Sequence, residues 1–431
     1  MSRKFRWVHC GLLFILGTLL VMPAVYAQDQ ETDETLLLRA KMQNIPLEDL
    51  LAQQADEALA AEKALVNNHV MDYGMVAVLQ GYVRMINLRT LSLSPPLLQG
   101  RLGNASGGLL DVMFTPNLRY ALVSNFGDQR INIIDVTNPV APFLRQHVRV
   151  NLFAEDIDVT PDSKYALVTD GGFSSAIAVI DIAAGRVRQT YDLGSRDAQS
   201  VAVAADGQTV LCADYWGGAV HVLTLNPWTG QLRYKSTIDV MPYWPVNIAI
   251  SPDGRTALVC NAFGPGDDKI ATEGSSLPVL RIDKGSRVTW TETIHLPPDF
   301  SNAQSAVFTS DGWRAFFIVD QNVCNGAKSD EHCYFNEIHV LDVLGPGDVR
   351  PTGDVIPVPF YSNGSYFGVD TLAIDPYNRY LFVSNKTSSG NNDLAIISLY
   401  SLRQIKTLHP GVGEDDLPTG VAFPTNRIAI R

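Results

Sequence analysis

Short apolar segments alternate with tight polar turns along most of the chain, and the alternation recurs at a regular interval. Six segments share one pattern, in which an apolar strand, a turn and a second apolar strand ending in Asn or Asp follow one another. These segments begin at Asp111, Asp156, Ser200, Asn247, Ser305 and Thr371. Two apolar runs joined by a tight turn predict a β-hairpin.

The turn residues explain how each hairpin closes. Proline presets the backbone for the second turn position, and glycine accepts the positive φ that a later position needs. The prolines are Pro116, Pro161, Pro252 and Pro376, and the glycines are Gly207, Gly254 and Gly312.

A third apolar strand and a more polar fourth strand follow each hairpin, as in INIIDV from Ile131 and the segment Arg188 to Leu193. Equivalent positions in the first repeats recur at intervals of about 45 residues, a spacing typical of propeller blades. A four-stranded antiparallel unit repeated around an axis forms a β-propeller. The pattern therefore predicts an all-β, seven-bladed β-propeller over residues 74–431.

The seventh blade is predicted to be shared between the two ends of the propeller. Residues Pro418 to Ile430 have the pattern of its first part, and residues Met75 to Leu93 have the pattern of its remainder. Both RIAI from Arg427 and VAVL from Val76 fit its second strand, so the pattern leaves open which end supplies that strand.

The second strands YALVSN, YALVTD and YLFVSN, which follow PN, PD or PY turns, resemble those of the YVTN-repeat β-propellers. The third strands INIIDV and AIAVIDI add to this resemblance, which extends from about Met75 to the C-terminus. The family belongs to the wider group of lactonase-like propellers. That group includes binding and surface proteins, lactone hydrolases and subunits of redox enzymes, so the resemblance implies the fold and leaves the activity open.

The N-terminal residues are predicted to be a secretory signal peptide, residues 1–27. Arg3, Lys4 and Arg6 precede a short apolar run, and a cleavage site follows at Ala27. Residues 28–73 are predicted to form an amphipathic helical segment, which either packs on the propeller or docks a partner. The mature chain is then periplasmic or secreted, with no membrane span after cleavage.

Removing the three positive charges of the signal changes the formal charge from −12 to −15. A chain this acidic is not expected to bind nucleic acid. Cys212 and Cys260 lie in strand patterns and are interpreted as small core residues. Cys324 and Cys333 flank a polar loop, and export predicts a disulfide between them.

The ligand site is predicted where the loops between second and third strands meet the connections between blades. Aromatic residues and acids such as Glu155, Asp156 and Asp197 recur on this face. Such a surface suits a small molecule, a glycan or a protein. The expected ligand contacts are Asp170, Asp214, Tyr215, Trp216, Trp244, Phe263 and Tyr366.

Catalytic motifs are scarce in this sequence. The mature chain contains no GxSxG, HExxH or phosphate-binding loop, and neither a metal site nor a cofactor is assigned. The sequence favours a non-catalytic binding or interaction module, with its ligand over the central channel. The alternatives are a hydrolase of a cyclic ester, with Arg130 or Arg196 near its site, and a subunit of a periplasmic redox enzyme.

Overall fold

Seven four-stranded antiparallel sheets form a ring in the computed structural model. The model describes residues 70–103, 108–172, 174–194, 197–262, 276–296, 300–322, 334–358, 372–384, 393–412 and 416–425. The predicted signal peptide, nearly all of the predicted helical segment, the Cys324–Cys333 pair, Phe263 and Tyr366 lie outside these residues.

The first three blades contain strands of six to eight residues. Blade 1 consists of β4 (Leu109–Phe114), β5 (Tyr120–Asn125), β6 (Arg130–Asp135) and β7 (Phe143–Arg149). Blade 2 consists of β8 (Ala154–Val159), β9 (Tyr165–Asp170), β10 (Ala176–Asp181) and β11 (Arg186–Asp192). Blade 3 consists of β12 (Ala198–Val203), β13 (Thr209–Asp214), β14 (Ala219–Leu225) and β15 (Leu232–Asp239).

Blade 5 has longer strands than its neighbours. Blade 4 consists of β16 (Trp244–Ile250), β17 (Thr256–Ala262), β18 (Ser276–Asp283) and β19 (Arg287–His295). Blade 5 consists of β20 (Phe300–Phe308), β21 (Arg314–Asn322), β22 (Tyr334–Gly345) and β23 (Asp348–Val358). Blade 6 consists of β24 (Leu372–Ile374), β25 (Tyr380–Ser384), β26 (Leu394–Ser398) and β27 (Arg403–Leu408).

The predicted sharing of the seventh blade is confirmed. Its strand order is β28 (Pro418–Ala422), β1 (Tyr73–Val78), β2 (Tyr82–Asn87) and β3 (Ser92–Leu93). The C-terminal β28 is the first strand of the blade, and β1 pairs with it antiparallel. The N-terminal side therefore supplies the second strand, which the sequence pattern had left open.

The first strands form the inner wall of the ring. Each first strand contacts the first strands of both neighbouring blades, and β28 contacts β24 and β4, so the ring is closed. The fourth strands lie outermost, as the alternating exposure of β7 and β11 shows. Apolar cores fill the space between blades. Leu167 and Ile177 of blade 2, for example, pack with Val201 and Cys212 of blade 3.

The tight turn that joins the first two strands has the same backbone shape in six blades. Its fourth residue has a positive φ and donates its N–H to the carbonyl of the first turn residue. Glycine occupies this position in three blades, where it takes up the left-handed conformation at no steric cost. The fourth residues are Leu118, Ser163, Gly207, Gly254, Gly312 and Asn378.

Carboxylates in the first strands tie neighbouring blades together. Asp111 accepts the N–H of Ile157 at 3.0 Å, and Asp156 accepts the N–H of Val201 at 2.8 Å. Asp158 accepts the N–H of Val203 in the same way. These N–H groups belong to strand edges that face the channel. Asp156, which the sequence analysis placed among the acids of the ligand face, is therefore a structural tie.

The Asp156 tie can be tested by removing its carboxylate. Asp156→Ala leaves the buried N–H of Val201 without this acceptor, so we expect a loss of about 1–3 kcal/mol in the free energy of unfolding. Urea denaturation measures this change in the free energy of unfolding. Asp354→Ala, at an exposed position of β23, is the control and should change stability little. Equal stability of the two variants would contradict the role of the tie.

The Cys324–Cys333 disulfide stays a prediction. Asn322 and Tyr334, which flank this loop in the described residues, are paired across β21 and β22. A disulfide closing so short a loop should stabilise the chain by about 2–3 kcal/mol. Peptide mapping without reductant should recover one linked peptide, and two alkylated thiols would refute the pairing.

Candidate functional site

The two ends of the ring differ in what they expose. The loop face carries the connections between second and third strands and the links from one blade to the next. The turn face carries the tight turns described above. Pairing of Ala198 with Asp214, and of Trp244 with Ala262, places the start of each first strand beside the end of its second strand on the loop face.

Three aromatic side chains from two blades meet on the loop face. Tyr215 and Trp216 follow β13 of blade 3, and Trp244 begins β16 of blade 4. The ring centroid of Trp216 lies 4.8 Å from that of Tyr215 and 5.1 Å from that of Trp244. The Tyr215 and Trp244 centroids are 5.2 Å apart. The structure thus brings these three predicted residues together, and we call them the aromatic cluster.

The members of the aromatic cluster differ in exposure. Trp216 is 41% exposed, whereas Tyr215 is 8% exposed and belongs to the apolar core between blades. Trp244 is half-buried and packs against the same core. Trp244 is also part of a strand, since it pairs with Ala262 at the start of β16. Trp216 is therefore the member that offers most of its surface to a ligand.

Asp170 and Asp214 are held by local contacts at the ends of their strands. Asp170 accepts the N–H groups of Phe153 and Gly172 at 2.9 and 3.0 Å. Asp214 accepts the N–H of Gly217 at 3.0 Å and contacts Nε2 of His221 at 3.2 Å. Short acidic side chains commonly satisfy turn backbone in this way.

Two neighbouring side chains fill the space over the Gly217-Gly218 pair. A Cβ at Gly217 would overlap the Asp214 carboxylate, and a Cβ at Gly218 would overlap the side chain of Met241. Gly218 also has a φ of 58°. The pair therefore lets the protein's own side chains approach the backbone closely.

Asp197, which is absent from the predicted ligand contacts, is the most unusual acid on the loop face. It is 4% exposed, and among the described residues its Oδ1 has no hydrogen-bond partner. Burial raises the pKa of this carboxyl to about 7, with further contributions from the charges of Asp214 and Asp170. The sequence showed an acid here but gave no sign of its burial.

Glu155 extends the acidic region toward blade 2. It is 7% exposed and accepts a hydrogen bond from the side-chain amide of Gln199 at 2.7 Å. A Cβ at Gly171 would overlap the Glu155 carboxylate, so glycine is needed beside it. Across the described ranges, no group of three or more His, Cys, Asp or Glu side chains has the geometry to hold a metal ion.

The cavity found in the central channel lies toward the turn face, away from the aromatic cluster. It has a volume of about 160 Å³ and is lined by first-strand residues and by turn residues such as Pro252, Ser310 and Pro376. None of the five described ligand-contact residues lines it. The aromatic cluster and the channel cavity are thus separate features.

The fold defines the class of protein: the chain is a seven-bladed β-propeller with four antiparallel strands per blade. Solved propellers cover most of it. A functionally unknown protein from Desulfotomaculum acetoxidans has a TM-score of 0.66 at 16% identity, over 82% of this chain and 99% of that one. A periplasmic gluconolactonase of Pseudomonas aeruginosa has a TM-score of 0.59 at 17% identity, over 81% of this chain and 96% of that one.

Hydrazine synthase of Kuenenia stuttgartiensis is also similar, with a TM-score of 0.57 at 18% identity over 74% of this chain and 90% of that one. No protein-family model matches the sequence, and neither does any curated protein. At these identities the similarities establish the fold alone. Within the part of the chain that the structure describes, no helix has the length and apolarity that crossing a bilayer requires.

The raised pKa of Asp197 predicts a pH-dependent stability. The pKa of Asp197 is about 7 in the folded state and lower in the unfolded state. As pH rises, the unfolded state therefore loses this proton at a lower pH than the folded state does. Stability should therefore fall as pH rises toward 7 and level off above it, with a slope of up to about 1.4 kcal/mol per pH unit.

Asp197→Asn removes this titration. Urea denaturation should show the variant gaining stability over the wild type as pH rises from about 4 to about 7, with a constant difference above that range. Parallel pH profiles for the two proteins would contradict the assignment to Asp197.

Proposed function

We propose that this chain is an exported, non-catalytic binding module whose ligand lies against the aromatic cluster on the loop face. The observation that carries the proposal is the exposed ring of Trp216, held 4.8 Å from Tyr215 and 5.1 Å from Trp244 by two different blades. Convergent aromatic rings beside a few polar groups are typical of ligand sites. Phe263 and Tyr366 remain proposed contacts.

The charges near the cluster favour binding over ester hydrolysis. A hydrolase of a cyclic ester needs donors aimed at the negative charge that develops on the carbonyl oxygen. Among the described residues, the charged groups that act on Asp197 are Asp214 and Asp170, whose carboxylates would oppose such a charge. His221 spans the Asp214 carboxylate and the hydroxyl of Thr237, which suits a structural role.

Export is part of the proposal. The basic residues and short apolar run at the N-terminus support it, because they have the form of a secretory signal. One structural neighbour is named as a periplasmic enzyme, which is consistent with the same compartment. We therefore place the binding module in the periplasm or outside the cell.

Single substitutions separate binding from packing within the aromatic cluster. Trp216→Ala removes an exposed ring, so it should leave the melting temperature nearly unchanged while weakening an aromatic or sugar ligand about tenfold or more. Trp244→Ala should weaken binding and also lower the melting temperature, because Trp244 packs on the core. Ligands are found by tryptophan-fluorescence titration against sugars, peptides, aromatic amines and lactones.

Trp228→Ala is the matched control, since Trp228 is 82% exposed on the turn face. It should leave binding intact. A ligand that binds Trp216→Ala as tightly as the wild type would contradict the proposed site. Turnover of a lactone that Trp216→Ala slows would favour the hydrolase alternative instead.

A further inference from the structure

The Asp197 carboxyl is buried, and the described residues do not supply a hydrogen-bond donor to one of its two oxygens. Its residue is 4% exposed, and Oδ1 has no hydrogen-bond partner in the described residues. A buried acceptor left without a donor costs about 1–3 kcal/mol. Buried polar groups in native structures are nearly always hydrogen-bonded, so an exception needs an explanation, such as a functional role or a bound water or ion. Oδ1 of Asp197 therefore needs a hydrogen-bond donor that the described residues do not supply.

The surroundings of Asp197 define the charge of that donor. Asp197 lies on the link between blades 2 and 3, and the electrostatic effects on its carboxyl come from Asp170 and Asp214. The next residue, Ala198, donates its N–H to the carbonyl of Ser174 in the neighbouring loop at 3.1 Å. Among the described residues, the charges of two further acidic side chains thus act on Asp197 at this junction between blades. Such a junction attracts cations and repels carboxylate or phosphate ligands.

Asp197 lies next to the aromatic cluster. The N–H of Tyr215 donates to the carbonyl oxygen of Asp197 at 3.2 Å. Burial raises the pKa of the Tyr215 hydroxyl, and the charge of Asp197 raises it further. Tyr215 in turn contacts the rings of Trp216 and Trp244. A ligand on these rings therefore lies beside the acidic junction.

Resting on the proposed function, we infer that the ligand carries a protonated amine, whose ammonium group binds Asp197 while its apolar part lies against the aromatic cluster. An ammonium is compact, carries a positive charge and donates hydrogen bonds, so it can supply the donor that Oδ1 of Asp197 lacks. Aromatic rings also attract cations through their faces. A divalent metal fits less well, because the described acids lack a metal-binding geometry.

Binding of an amine should be coupled to a proton at Asp197. Among the described residues, the titratable groups that interact electrostatically with it are Asp170 from β9, Asp214 and the Cys212 thiol from β13, and Tyr215. Burial raises the pKa of both Cys212 and Tyr215, so these two stay neutral near pH 7. Asp197 is the acid among them whose pKa lies near 7. An ammonium ligand should therefore displace a proton from Asp197 at neutral pH.

Calorimetric titration of the mature chain with benzylamine and benzyl alcohol tests this inference. The two probes share a ring and differ in charge. We expect the wild type to bind benzylamine about tenfold or more tightly than benzyl alcohol. Benzylamine affinity should rise from about pH 5 to about pH 8, and titrations at pH 7 in buffers of different ionisation enthalpy should reveal proton release.

Asp197→Asn should bind both probes with similar affinity and release no proton. Asp348→Asn, which makes the same chemical change at a half-buried position on the turn face, should behave as the wild type. Suppose that the wild type binds both probes with equal affinity and that Trp216→Ala weakens both. That result would overturn the amine inference but would support the proposed binding site. If Trp216→Ala binds both probes with the same affinity as the wild type, the proposed function itself would be overturned.

Discussion

Each blade of the ring presents one unpaired strand edge to the central channel, and the backbone N–H groups along that edge need acceptors. In blades 2 and 3, carboxylates of the preceding blade accept some of these N–H groups, namely those of Asp111, Asp156 and Asp158. The same bonds fix the rotation of one blade against the next, since each carboxylate also accepts the N–H of the residue after it. Closure of the seventh blade by β28 and β1 completes the ring, so no blade is left at an open end.

The ring closure also determines where a binding site can form. Blades placed side by side bring together loops that are distant in sequence, which is how Trp216 of blade 3 comes to pack beside Trp244 of blade 4. The first strands pack the blades against one another, whereas the side chains on the loop face can differ in chemistry without disturbing that packing. The similarity to both a gluconolactonase and hydrazine synthase is consistent with this division, because at these identities the shared feature is the fold.

The acidic junction between blades 2 and 3 lowers the stability of the fold. Asp197 loses hydration on burial, and the nearby carboxylates of Asp170 and Asp214 raise the cost of charging it. Asp170 and Asp214 are themselves held by backbone N–H groups, so they cannot easily move away. A strained electrostatic arrangement next to exposed aromatic rings is a common property of functional sites, where a ligand offsets the cost.

The sequence by itself determined the fold, because the propeller repeats a local pattern. Apolar alternation and the turns around Pro161 and Gly254 predict each hairpin from a few adjacent residues, and the repeat interval predicts the ring. It also placed Tyr215, Trp216 and Trp244 on one face, since strand order decides which loops share an end. Tertiary structure alone decided that β1 is the second strand of the closing blade, that Asp156 is a tie between blades, and that Trp244 packs on the core. It also decided the burial of Asp197, because desolvation and the approach of Asp170 and Asp214 depend on how neighbouring blades pack, which no local pattern encodes.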